Sequence, residues 1–387
     1  MTAQWMESVL GELCTFQAGG AFPRHEQGHL TGDHPFIKVS DMTLPANSIR
    51  IIEANNWVSA ETAARMKLKL TPPGAVAFAK IGEGLKAERL RRITVPTAMD
   101  NNMMAAIPKP AVVDSGFLIY LIESVHIAEW AQGSALPYLS QKLLADIPVH
   151  VPSLPEQRAI AATLGAFDDK IESNRQAMAT GESLIRAVVE STLDASEGED
   201  GTLGDYCALV KAPVEIDKID PDDNYIGLEH MPRGSIFLTE WKKAKGLGSN
   251  KTAFKRGDLL FGKLRPYFKK VGIAPIDGVC STDILVVRPK SPRDIALVTA
   301  VAASDALIDS LSASSTGTRM PRASWKDLAA WRVPVLTATE RIELSARVDP
   351  LVERLTQLTF ESHRLVALRD ALLPELLSGG LRVPVTS

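Results

Sequence analysis

The sequence predicts an α+β chain: two tandem α/β globular domains, separated and joined by two long helices forming an antiparallel coiled coil, with a pseudo-twofold internal repeat. Three observations predict it. A stretch of some forty residues opens at Ser153-Leu154-Pro155-Glu156-Gln157-Arg158 and returns about 184 residues later at Thr337-Ala338-Thr339-Glu340-Arg341-Ile342. Segments upstream return in the same order: Leu10-Gly11-Glu12-Leu13-Cys14 as Leu203-Gly204-Asp205-Tyr206-Cys207, Pro73-Gly74-Ala75-Val76-Ala77-Phe78-Ala79-Lys80-Ile81 as Arg256-Gly257-Asp258-Leu259-Leu260-Phe261-Gly262-Lys263-Leu264, and Gly133-Ser134-Ala135-Leu136-Pro137 as Gly317-Thr318-Arg319-Met320-Pro321. The repeated stretch also carries apolar residues at helical spacing: Ile160, Leu164, Phe167, Ile171, Met178 and Val188 fall opposite Leu344, Val348, Leu351, Leu355, Ser362 and Leu372. Ile185 is the exception and falls opposite Arg369. A period this long is not that of a solenoid, whose units run to tens of residues.

The first globular domain, 1–152, mixes short apolar runs (76–78, 103–107 and 117–122) with Gly, Pro and Asn, which reads as short strands in an α+β setting. A helical region follows at 153–195. Ser153 with Glu156, and Thr337 with Glu340, have the spacing of a capping box, so both helices carry the same start signal. Apolar spacing of three and four predicts a seam facing another helix. Gly165 and Gly181 each cost a helix roughly 1 kcal/mol relative to alanine, and Pro350 predicts a bend in the second helix. Residues 195–201 read as a linker into the second globular domain, 196–336. The C-terminal helical region, 337–387, should run from near Ala338 to near Leu377, with Pro374 distorting its last turns and Gly379-Gly380 beyond. Helices leading out of successive domains pair most simply antiparallel, with one domain near each end. About 38 helical residues span roughly 57 Å, more than the 34 to 36 Å of one B-DNA turn.

A chain of 387 residues with 45% hydrophobic content builds ordinary cores. It lacks both the apolar run of a membrane span and the pattern of a signal peptide, so a soluble, cytoplasmic protein without membrane association is expected. Cys14, Cys207 and Cys280 form no CxxC pair, which argues against a disulfide framework or zinc site; Cys14 and Cys207 occupy equivalent positions and read as packing residues. The net charge of −3 conceals a local bias. Lys242, Lys243, Lys245, Lys251, Lys255, Arg256, Lys263, Arg265, Lys269 and Lys270 face Asp258 alone in one window, and Arg65, Lys67, Lys69, Lys80, Lys86, Arg89, Arg91 and Arg92 face Glu83 and Glu88 in the equivalent one. A single such run is commonly a solvated face; its recurrence at matching positions fits binding to a phosphate backbone.

The sequence resembles the specificity subunits of type I restriction-modification systems over nearly its whole length. The resemblance is carried by Leu154-Pro155-Glu156-Gln157-Arg158, by Gly257-Asp258-Leu259-Leu260-Phe261-Gly262-Lys263-Leu264-Arg265-Pro266-Tyr267 followed by Cys280-Ser281-Thr282-Asp283, and by Phe78-Ala79-Lys80-Ile81-Gly82 and Asp100-Asn101-Asn102-Met103-Met104. The second helix departs from it, with Thr339-Glu340-Arg341 where Pro-Glu-Gln is expected, which puts that helix's geometry in question. The resemblance implies a non-catalytic DNA reader. Each globular, target-recognition domain would read one half of a bipartite, asymmetric double-stranded target, while the helices set the spacing and dock two modification subunits. Those partners would carry S-adenosylmethionine and methylate adenine; separate restriction subunits would supply the ATP- and Mg-dependent motor and nuclease.

No cofactor or metal is expected in this chain, and no catalytic residue is assigned. An Asn/Asp-Pro-Pro-Tyr/Phe motif, a P-loop and an H-E-x-x-H motif are absent. Glu215-Ile216-Asp217-Lys218 holds an acidic-x-Lys fragment without a supporting carboxylate pattern and reads as a solvated loop, and Phe16-Gln17-Ala18-Gly19-Gly20 reads as a turn. Lys and Arg bind phosphates, Arg reads guanine, and Asn or Gln reads adenine. The DNA-binding candidates are therefore Lys80, Lys86, Arg89, Arg91, Arg92 and Asn102 in the first domain, with Lys263, Arg265, Tyr267, Lys269, Lys270, Thr318 and Arg319 in the second; Tyr267 also fits a core position. Two other classes stay open: a coiled-coil interaction scaffold without sequence-specific DNA binding, and a stand-alone nuclease or methyltransferase.

Overall fold

The computed structural model describes residues 5–196, 198–314 and 322–384. It divides into two compact units, one formed by Met1–Glu172 with His363–Ser387 and the other by Ser173–Ser362. Each unit holds one globular domain and parts of both long helices.

The domains share one plan. In the first, the antiparallel sheet has the order Cys14–Ala18, Met103–Pro108, Val76–Ala79, Arg91–Arg92; in the second, Cys207–Leu209, Ile284–Pro289, Leu259–Gly262, Val271–Ile273. The strands Val76–Ala79 and Leu259–Gly262 are buried throughout, which is why each reads as an unbroken apolar run. A further sheet in each domain contains a parallel pair, His34–Ile37 with Ala98–Met99 and Asn224–Ile226 with Gly278–Cys280. Each domain closes on itself through antiparallel pairing of its first and last strands, Met6–Val9 with Pro148–Val151 and Glu199–Thr202 with Arg332–Val335.

Within the domains, two expectations change. The run 117–122 is not a strand but lies in the helix Ser115–Ser124, whose first turn is capped by the Asp114 carboxylate accepting from Gly116 and Phe117 N–H at 2.8 and 3.1 Å. An apolar run buried on all sides carries no period that separates helix from strand. The proposed linker is partly a strand, since Glu199–Thr202 lies in the closing pair. A side-chain carbon at Gly201 would stand 2.3 Å from Val335 Cγ2, so that glycine serves close strand approach.

The cysteines repeat as well. Cys14 Sγ donates to Leu10 O at 3.3 Å and Cys207 Sγ to Leu203 O at 3.2 Å, each closing a one-turn helix. Burial pushes both thiols, and Cys280, up to about 12.

The long helices run unbroken over Leu154–Ala195 and Ala338–Leu377, through Gly165, Gly181 and Pro350. They pair antiparallel within each unit. In the first, Arg369 donates to Asp168 at 3.0 Å, and Ile160 and Leu164 share a core with Leu376. In the second, Asn174 donates to Glu361 at 3.0 Å, Thr359 lies 3.8 Å from Met178 sulfur, and Met178, Ile185 and Val188 share a core with Val348, Leu355 and Leu358. Beside these apolar residues, Asp168 and Glu172 are buried in the first unit and Asn174 in the second, whereas the expected seam residues Phe167 and Ile171 are half-buried.

The start of each helix is locked to its domain by the same repeat position. Gln157 is buried; its Oε1 accepts from Asp114 N–H at 2.9 Å, and its Nε2 donates to the carbonyls of Val112 and Pro152 at 3.1 and 3.0 Å. Arg341 occupies the equivalent place and forks onto the buried carboxylate of Asp294. The departure from Pro-Glu-Gln thus substitutes an ion pair for an amide clamp and leaves the helix in place. The capping box forms at the second helix, where Thr337 N–H donates to Glu340 at 2.7 Å and Glu340 N–H to Thr337 Oγ1 at 3.3 Å. At the first, Glu156 is turned to Arg382 instead. Among the described residues, no single helix is long and apolar enough to cross a membrane.

Candidate nucleic-acid interface

The central strand of each main sheet ends in a lysine held between the same two backbone partners. Lys80 N–H donates to Asn102 O and Lys80 O accepts from Leu139 N–H, both at 2.9 Å. Lys263 N–H donates to Asp283 O at 2.8 Å and Lys263 O accepts from Ala323 N–H at 2.9 Å. The partner turns correspond in detail: Asp100 Oδ1 accepts from Asn102 N–H at 2.9 Å, and Ser281 Oγ from Asp283 N–H at 3.2 Å. Burial raises the Asp100 carboxyl above its ordinary range. Next to the first turn, Gly19 N–H donates to Met103 O at 3.1 Å and Gly20 N–H to Met99 O at 2.9 Å. A side-chain carbon at Gly19 would overlap Asp100 O. The motif read as a turn is therefore a strand, Cys14–Ala18, running into two glycines that pack on this turn.

What projects from the shared frame differs. In the first domain Lys80 leads into the short helix Gly82–Lys86, on which Lys86 pairs with Glu83 at 2.6 Å. Asn101, Asn102 and Arg89 are exposed. Arg91 faces inward: its guanidinium donates to the carbonyls of Asn47, Leu90 and Met42, and burial followed by the nearby Arg89 charge pushes it down to about 10. Arg92 also turns in, reaching Gly116 O at 3.4 Å. The structure thus brings Lys80 and Asn102 together and sets Arg91 and Arg92 among the domain's own loops.

In the second domain the same strand runs into a loop with a one-turn helix, Pro266–Phe268. Lys263 Nζ donates to Thr282 O, Lys269 Nζ to Asp305 at 2.7 Å, and Lys270 Nζ to Leu228 O. Burial, and then the Arg233 charge, lower the Lys270 ammonium from its ordinary range. Tyr267 is 50% exposed and therefore not a core residue. Arg265 is exposed and lies 5.9 Å from the Phe268 ring, on which Arg233 also stacks at 4.0 Å. Arg233 lies outside the basic window; a fold contact, Gly234 N–H to Lys269 O at 3.1 Å, brings it to the loop, so no local sequence pattern marks it. Thr318 and Arg319 lie outside the described residues. The acidic-x-Lys fragment forms a short turn with Lys218 paired to Glu215 at 2.6 Å. Among the described residues, no group of three or more His, Cys, Asp or Glu is arranged to hold a metal ion.

Residues 3–180 match the family model for the type I restriction modification DNA specificity domain. Over 325 residues, 72% of each chain, the sequence is 21% identical to the type I restriction enzyme EcoDI specificity subunit of Escherichia coli. It is 28% identical over 167 residues to the type I restriction enzyme MjaIX specificity subunit of Methanocaldococcus jannaschii, 41% of this chain and 37% of that one. The crystal structure of a type I restriction-modification S subunit from M. genitalium shares the fold, with a TM-score of 0.60 at 14% identity over 100% of this chain and 98% of that chain.

Proposed function

We propose that the chain is a specificity subunit of a type I restriction-modification system, as the match of residues 3–180 to that family's DNA specificity domain supports, and that it reads a bipartite, asymmetric DNA target, one half per globular domain, without catalysis of its own. One observation carries this reading. The same strand end, with the same backbone partners, presents Lys80 beside an asparagine turn in one domain and Lys263 beside an arginine-aromatic loop in the other. A duplicated frame with different side chains at its reading edge suits two unlike half-sites, because Asn and Arg prefer different bases. Lys80, Asn102 and Arg89 are the candidates in the first domain, and Lys263, Arg265 and Tyr267 in the second. Lys86, Lys269 and Lys270 add positive charge near DNA despite their internal partners.

The helices set the spacing between half-sites and dock two modification subunits that carry S-adenosylmethionine, with restriction subunits supplying ATP-driven cleavage in the cytoplasm. Methylation mapping tests the reading in cells that hold the cognate modification subunits. With the chain present, methylated adenines fall in one split motif; without it, that motif is unmethylated. Methylation that is unchanged by deletion of the chain refutes it.

A further inference from the structure

We propose that Arg233 and Arg265, flanking the Phe268 ring, are the guanine-reading residues of the second domain. This rests on the DNA-reading role proposed above and deepens it by naming the base and the side chains.

The first argument is availability. The loop's lysines each have an internal acceptor: Thr282 O for Lys263, Asp305 for Lys269 and Leu228 O for Lys270. Arg233 and Arg265 are both exposed, and their contact among the described residues is the face of Phe268, at 4.0 and 5.9 Å, with no carboxylate. A guanidinium stacked on an aromatic ring keeps its in-plane N–H donors free, and these match O6 and N7 of guanine in a bidentate pair.

The second argument is preorganisation. Arg265 and Lys269 bracket the turn Pro266–Phe268, and both adopt the left-handed conformation with φ of 51°, uncommon outside glycine. Such a conformation persists where its surroundings fix it, and here the fixing bonds are visible. Lys269 is tied to Asp305, while its carbonyl accepts from Gly234 N–H at 3.1 Å, joining the two arginine-bearing segments. The first long helix holds the second segment: Arg186 donates to Gly234 O at 2.8 Å, and Glu182 accepts from Ser235 Oγ at 2.6 Å and from Ile236 N–H at 3.1 Å. Burial raises the Glu182 carboxyl, opposed by these bonds. A hollow of about 350 Å³ lined by Leu228, Leu264, Arg265, Phe268 and Lys270 leaves room beside Arg265 for a base edge.

The test uses the assembled modification complex with a randomised DNA library and sequencing of methylated products. Arg265→Gly removes the side chain where the backbone already favours glycine, so the loop keeps its shape; Arg233→Ala and Arg265→Lys complete the set. The expected result is a guanine in the second half-site of the wild type, and a loss of its preference by about tenfold or more in Arg265→Gly or Arg233→Ala. The first half-site stays unchanged, and Arg265→Lys does not restore the preference because an ammonium lacks the planar fork. A uniform loss of affinity with an unaltered motif makes the arginines phosphate contacts and overturns the proposal, while leaving the DNA-reading role intact. An unaltered motif with unaltered affinity overturns it too. Absence of any motif with the wild-type chain defeats the underlying role instead.

Discussion

At the scale of the residue, charge alone does not identify a DNA contact; the partner does. Arg91 and Lys80 look alike in the basic window, yet Arg91 donates to the carbonyls of Asn47, Leu90 and Met42, whereas Lys80 marks the strand end beside the asparagine turn. Arg91→Ala leaves three carbonyls short of a donor and should destabilise the protein by about 2 kcal/mol, with the salt dependence of DNA binding unchanged. Lys80→Ala should alter stability by less than about 0.5 kcal/mol and reduce the salt slope by about one. Denaturant titration and salt titration of the two variants check the pair; the reverse pattern would exchange their roles. The basic windows were readable beforehand, and the internal partners of their side chains were not. A window of basic residues marks a surface, because counterion release needs clustering, but it says nothing of which cations the fold turns inward. Arg233, proposed above as a base reader, has no mark in the local sequence, since its neighbour Phe268 is brought to it by tertiary structure.

At the scale of the element, the helices explain what a comparison of the two copies leaves puzzling. Ile185 falls opposite Arg369 in the repeat, but in space Arg369 pairs with Asp168, while Ile185 shares an apolar core with Val352. Asp168 and Val352 are themselves repeat equivalents. Both positions have changed character together, an ion pair in one unit and members of one apolar core in the other. Helix existence and extent were evident in the sequence because a 3.6-residue period survives for ten turns. The polar stretch of the seam was not, because buried Asp168 and Asn174 read as surface residues until their partners are seen. Gly181 was an expected weakness and is a contact: a side-chain carbon there would stand 2.8 Å from Leu355 Cδ2. Gly181→Ala should therefore destabilise despite a gain of about 1 kcal/mol in helix propensity. Leu355→Ala alone should cost about 2 to 5 kcal/mol, and the double variant less than the sum. A thermal double-mutant cycle that is additive, or a stabilised Gly181→Ala, would contradict the close approach.

At the scale of the whole molecule, the proposed ruler concerns both helices at once. Seven residues inserted after Asn174 and seven after Glu361 would preserve the apolar faces and lengthen each helix by about 10 Å, close to three base pairs at about 3.4 Å each. Methylome mapping should then show both half-sites unchanged and the gap between them about three base pairs longer; an unchanged gap with full activity would remove the helices from spacing control. The discontinuous composition of the first unit has a further consequence, for the order in which the protein is made. The second unit is one uninterrupted segment, Ser173–Ser362, and can close as soon as that segment has left the ribosome. The first unit begins earlier in the chain but waits for Leu372, Leu376 and Arg369, which line its core and its ion pair, to follow the whole of the second unit. Its apolar surface is uncovered throughout that interval, so a chain cut before Arg369 leaves the first globular domain unfinished although every residue of that domain is present.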